Sequence, residues 1–186
     1  MDNLQNAEVT LHHRRDNILI DALEKKITDA TDICNKITRW ENRWSQQNLI
    51  ENKGEFVSDR LKATLKLACA MSHDEYRSAL IIRDFAQHCH SAVANMADAA
   101  ITLSCPGPAP IWNSDNQDLP HTDRPTGDAV FNYPSFMLFA PCVTLPLISV
   151  NGLPVGVQVM GQPHQDLRVT AIARWILENI SPVLIV

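Results

Sequence analysis

The chain has 186 residues and 45% of them are apolar, enough for one domain with a sizeable core and too many for intrinsic disorder. Its formal charge of −5 and lack of a basic stripe exclude the counterion-releasing surface that holds nucleic acids. The five cysteines, Cys34, Cys69, Cys89, Cys105 and Cys142, are odd in number and form no CxxC pair. That usage points to a reducing, cytoplasmic setting.

Met1-Asp2-Asn3-Leu4-Gln5 has neither the basic nor the apolar region of a signal peptide. The longest apolar run, Phe136 to Val150, is broken by Pro141 and Pro146. It falls short of the roughly 20 residues of a membrane span, so it reads as buried sheet and its approach.

In chain order, a helix is predicted over Ile20–Trp44, with one apolar stripe through Ile27, Ala30, Ile33, Ile37, Trp40 and Trp44. A second runs from about Ser58 to Met71, with Leu61, Leu65 and Ala68 inward. Ser72-His73-Asp74-Glu75 reads as a capping box opening a third, which buries Ala79, Ile82, Ala86, Cys89, Val93 and Met96.

Ala99–Leu103 then reads as a short buried strand. Pro106, Pro108, Pro110, Pro120 and Pro125 mark a long loop, of the kind that covers a site. Phe131–Phe139 suits a short helix and Cys142–Val150 a strand. Asn151-Gly152 is a strong hairpin signal. The return strand puts Val155, Val157 and Val159 on one face, and Gly156, Gln158 and Met160 on the other. Asp166 is expected to cap a last helix that turns Val169, Ile172 and Ile176 inward, and the tail Pro182–Val186 suits a terminal strand.

Three segments carry a family resemblance. They are Asp98–Thr102 with Cys105-Pro106-Gly107-Pro108-Ala109-Pro110; Thr126-Gly127-Asp128 with Phe131-Asn132 and Pro141–Pro146; and Gly152–Gly161 with Asp166 beyond. In this order and spacing they resemble the C-terminal part of the amidase signature family, whose members hydrolyse amides with a Ser–cis-Ser–Lys arrangement. Two positions depart from the family pattern: Leu103 stands where a proline is usual and Ala140 where a glycine is usual.

The resemblance implies an α/β chain, a partial amidase signature fold with a mixed sheet and flanking helices. Residues 1–186 would form one amidase-like domain, mainly helical over 1–97 and strand-rich with a C-terminal helix over 98–186. The resemblance also implies what chemistry to seek. A serine nucleophile needs a base, here a lysine whose pKa is lowered by burial, and Gly/Ser-loop amides would form the oxyanion hole.

No Gly-Ser-Ser occurs, the six glycines are never adjacent, and every lysine lies at or before Lys66. No catalytic residue is therefore assigned. Substitute nucleophiles would be Ser104 or Cys105 with His121 or His164 as base, although Cys105 also reads as a small buried side chain. His88 and His90 sit about 200° apart on a helix and cannot share an ion, so no metal or cofactor is expected. Trp40, Trp44 and Trp175 read as core. Trp112, in the proline loop that helps wall the acyl pocket of relatives, is the one substrate-binding candidate, against a purely packing role.

The leading expectation is thus a non-catalytic C-terminal portion of an amidohydrolase. The alternatives are an interaction subunit that completes a catalytic half on another chain, and a self-sufficient hydrolase using Cys105 or Ser104. With its sheet cut from a larger one, Val143–Val150 and Val155–Met160 are expected to lie open at an edge. A homo-oligomer or a partner chain would follow, with neither nucleic acid nor membrane involved.

Overall fold

A computed structural model describes residues 9–10, 17–109 and 128–185. The described chain forms six helices and a four-stranded mixed sheet, the α/β architecture expected.

The predicted first helix is two. Helix α1 spans Ile18–Ile27, capped by the Asn17 side chain, which accepts from the Leu19 amide at 2.7 Å. Helix α2 spans Ala30–Lys53. Between them Asp29 leaves helical geometry (φ −98, ψ 20), and its carbonyl accepts the Ile33 amide that starts the next helix. Aspartate favours such boundaries over helix interiors. Only the first half of the predicted stripe is core: Ala30, Ile33 and Ile37 are buried, together with Cys34, whereas Trp44 is 71% exposed.

A 3-10 turn over Gly54–Phe56 leads to α3 (Asp59–Ala70), capped by Ser58, with Ala68 buried. Helix α4 (His73–Val93) opens with the predicted capping box: Glu75 N donates to Ser72 Oγ at 3.2 Å, and the Ser72 amide donates to the Glu75 carboxylate at 2.8 Å. Its buried line is Ala79, Ala86 and His90. Ile82, expected inside, sits about 60° off that line at 100° per residue and is 40% exposed. Helix α4 packs against α1 and α2, and α5 (Tyr133–Leu138) packs against α2 and α4.

Strands β1 (Ala100–Leu103), β2 (Cys142–Val150), β3 (Leu153–Met160) and β4 (Val183–Ile185) line up as β1-β3-β2-β4. β1 and β2 are antiparallel to β3, and β4 runs parallel to β2. This order corrects the expected open edge for β3, which is paired on both sides, but for β2 only where β4 reaches it. Strand β1 lies at one side, and at the other β4 covers β2 only along Ile148–Val150.

Side chains alternate along β3, so the sheet separates two cores. Met160 joins Leu23, Ile33, Ile37, Met137 and Leu138 on the face covered by α1, α2, α4 and α5. Val159 joins Leu145, Leu147, Val169, Ala173 and Ile176 on the face covered by α6 (Asp166–Asn179). Asp166 is not the cap of α6: Gln165 holds that position, with no side-chain cap bond, and Asp166 is the first helical residue. There its charge still suits the positive end of the helix.

Candidate functional site

On the sheet face turned toward α5, one row of side chains is polar. β1 and β2 both pair with β3 so that Thr102 and Thr144 stand on either side of Gln158. Gln158 is 2% exposed, a burial that an amide tolerates only with hydrogen-bond partners. Its Nε2 donates to Thr102 Oγ1 at 3.4 Å and to the carbonyl of Phe131 at 3.3 Å. The second bond ties the chain entering α5 down onto the sheet.

One step along β3 lies Gly156. The Ser104 amide donates to its carbonyl at 2.9 Å, extending the β1–β3 pairing past the end of β1. A Cβ at Gly156 would overlap Ser104 Oγ and Thr144 Cγ2, so the absence of a side chain is what lets these two groups converge. Opposite Gly156 the β2 register jumps between Leu145 and Ile148, leaving Pro146 and Leu147 facing a single residue. This is a β-bulge, the place in a sheet where a proline lacking an N–H is accommodated.

Thr102, Ser104, Thr144 and Gln158 thus form a neutral shelf beside the start of the proline loop. Gln158 is buried and occupied, whereas Thr102 and Ser104 are half-buried and Thr144 is exposed, so these hydroxyls can donate to and accept from a polar group. The shelf holds no acid or base. Ser104 Oγ points to Cys105 Sγ, 3.9 Å away, and Cys105 is a half-buried free thiol. His164 follows the end of β3, with φ 66. Ser104 is bonded to Gly156, four residues inside that strand, about 13 Å back at 3.3 Å per residue. The two are therefore not brought together. Trp112 and His121 lie outside the described residues.

His164 lines a different cleft, of about 650 Å³, with Gln87, His88, Ser91, Phe139 and Asp166. Phe139 also adopts a left-handed backbone (φ 52), as the C-cap of α5. His88 is exposed, its Nδ1 2.7 Å from the Asp84 carbonyl, while His90 faces inward on the same helix. Among the described residues no three His, Cys, Asp or Glu side chains are placed to hold a metal. Trp175 is 39% exposed and Trp44 more so, which corrects their reading as core. Trp40 stacks on Tyr76 at 5.3 Å, and the Arg43 guanidinium lies 3.5 Å from the Trp40 ring centroid.

The row Thr102–Gln158–Thr144 is set by pairing between distant strands, which the sequence pattern does not specify. Its signal was Gln158, one long polar side chain inside an otherwise apolar return strand.

No protein-family model matches the chain, and no curated protein does. Solved structures do. An amidase superposes with a TM-score of 0.71 at 21% identity, over 83% of this chain and 36% of the amidase. A bacterial aryl acylamidase of the amidase signature family gives 0.61 at 15% identity, over 79% and 32%. One subunit of the glutamyl-tRNA(Gln) amidotransferase from Thermotoga maritima gives 0.54 at 21%, over 87% and 39%. The chain spans between 32% and 39% of the length of these structures, and over that span it has the fold of part of an amidase signature enzyme.

Proposed function

We propose that this chain is a non-catalytic portion of an amidohydrolase that cleaves C–N amide bonds. The observation that carries the reading is the superposition on 36% of an amidase by 83% of this chain. The sequence adds that no Gly-Ser-Ser segment is present and that all lysines precede residue 67. In this reading the nucleophile, its lysine base and the oxyanion hole come from residues that this sequence does not contain. The Thr102, Ser104 and Thr144 hydroxyls position the carbonyl or leaving amine of a substrate held there, and the proline loop, with Trp112, walls the acyl side. A reducing, cytoplasmic setting belongs to the same reading, and the five cysteines are free thiols. Among the described residues no helix is long and apolar enough to cross a membrane.

The purified chain should show no turnover above the uncatalysed rate on a panel of aliphatic and aromatic amides and esters. Turnover that disappears in Cys105→Ala or Ser104→Ala would replace this reading with a self-sufficient hydrolase. Acyl-probe labelling of either residue would do the same.

A further inference from the structure

A cavity of about 430 Å³ opens between β1 and α6, on the opposite side of the sheet from the polar shelf. Its walls are Ile101 of β1 and Ile172, Trp175 and Ile176 of α6, and Val9 and Thr10 close one side. Ile176 is buried, whereas Ile101 and Trp175 keep 38% and 39% of their surface in solvent. Two charged groups also line it: Arg168, in the first turn of α6, and Asp98, just before β1, which form an ion pair with each other.

We propose that this cavity binds a small carboxylate with an apolar tail, such as a medium-chain or aryl acid. Two features select that chemistry. The isoleucine and tryptophan walls gain from covering an alkyl or aryl body, at roughly 25 cal/mol per Å² removed from water. Arg168 is the one cation among the described lining residues, and its planar guanidinium suits a carboxylate better than any neutral head group. The Arg168 and Asp98 side chains are 53% and 76% exposed, so their pairing is worth little in water. A ligand carboxylate can take the place of Asp98 without leaving a buried charge unpaired. An ammonium head could pair only with Asp98, as a point charge without the two-pronged geometry that Arg168 offers a carboxylate, and a hydroxyl would bring one hydrogen bond and no opposite charge. The inference does not depend on the amidohydrolase reading.

Calorimetry on the full chain with sodium octanoate, octan-1-ol and octylamine tests this. Octanoate should bind saturably, about tenfold or more tighter than octanol, the factor expected of one charge-assisted hydrogen bond. Octylamine should bind more weakly than octanoate. Arg168→Gln should remove the preference for octanoate and leave octanol binding unchanged. Asp98→Asn should strengthen octanoate binding, because it removes the competing carboxylate. Trp175→Phe should abolish the fluorescence response to octanoate while calorimetric binding persists, which fixes the location. Circular dichroism identifies any variant that fails to fold, and at these exposed positions folding should be kept. Absence of saturable octanoate binding, or equal affinity for octanoate and octanol in the unaltered chain, overturns the proposal. An Arg168→Gln variant that keeps the full preference overturns it as well.

Discussion

Asn151 and Gly152 both hold positive φ, 50° and 78°, the pairing that a two-residue turn between right-twisted strands requires. Asparagine and glycine were legible as a turn because few other residues reach that geometry cheaply. A Cβ at Gly152 would meet nothing within 4 Å, so any cost of substitution there is backbone strain alone. Gly152→Val should therefore destabilise the fold by about 1–3 kcal/mol. An unchanged midpoint in urea would rule out the strained turn. Gly156 is the opposite case. Its backbone is ordinary for a strand, and its need for glycine comes from Ser104 and Thr144, 52 and 12 residues away in sequence. No local pattern encodes a requirement set by two distant segments, so the shelf around it is not legible in the sequence.

At the scale of elements, local signals carried well and tertiary ones did not. The Ser72–Glu75 box, strand β2 and the hairpin are encoded within a few residues and occur as read. Helix faces were read less well: Ile82 and Trp44 fit the period yet lie outside the core, whereas His90, a polar residue, lies inside it. Burial of a histidine has a measurable consequence. Burial favours the neutral imidazole and holds the His90 pKa below its ordinary 6.5, and Nδ1 has no hydrogen-bond partner among the described residues. The unfolded chain then binds the proton more readily than the folded one. Stability is full above the unfolded value and is lost as pH falls through it toward the folded value. Glu75 behaves differently. The Ser72 amide and hydroxyl hold its carboxylate below 4.5, so its contribution survives until the solution is more acidic than that. The melting temperature should accordingly fall between about pH 7 and pH 5, ahead of the carboxylate window. His90→Leu should flatten that first fall and leave the loss at lower pH in place. Equal slopes for the two proteins between those pH values would show that His90 is not the group responsible.

At the scale of the whole molecule, the sheet is too small for the surfaces it carries. Strand β3 is paired on both sides, but the flanks of the sheet are not covered. Strand β4 is three residues long and covers β2 only along Ile148–Val150, so Cys142–Leu147 lies beyond its reach. β4 itself exposes Val183, Leu184 and Ile185, the second of them at 76%. The helical layer has the same character, with Ile81, Phe85, Phe136 and Phe139 each more than half in water. Arg83 lies over the Phe139 ring and Lys26 over that of Phe85, which screens these rings only in part. Large exposed apolar patches are uncommon on monomers, and an open strand edge recruits strands from other chains. We expect the isolated chain to self-associate or to require a partner for solubility, with the flanks of the sheet, not its centre, as the points of contact. Sedimentation over a concentration series should show mass rising with concentration, and a dye for exposed apolar surface should bind. Charged substitutions on β4, such as Leu184→Lys, should lower the association if that flank is used, as lysine does on natural edge strands. The competing outcome is a monomer at every concentration that binds no dye. That result would mean the described surfaces are sufficient in water as they stand, and it would remove the argument for a missing partner.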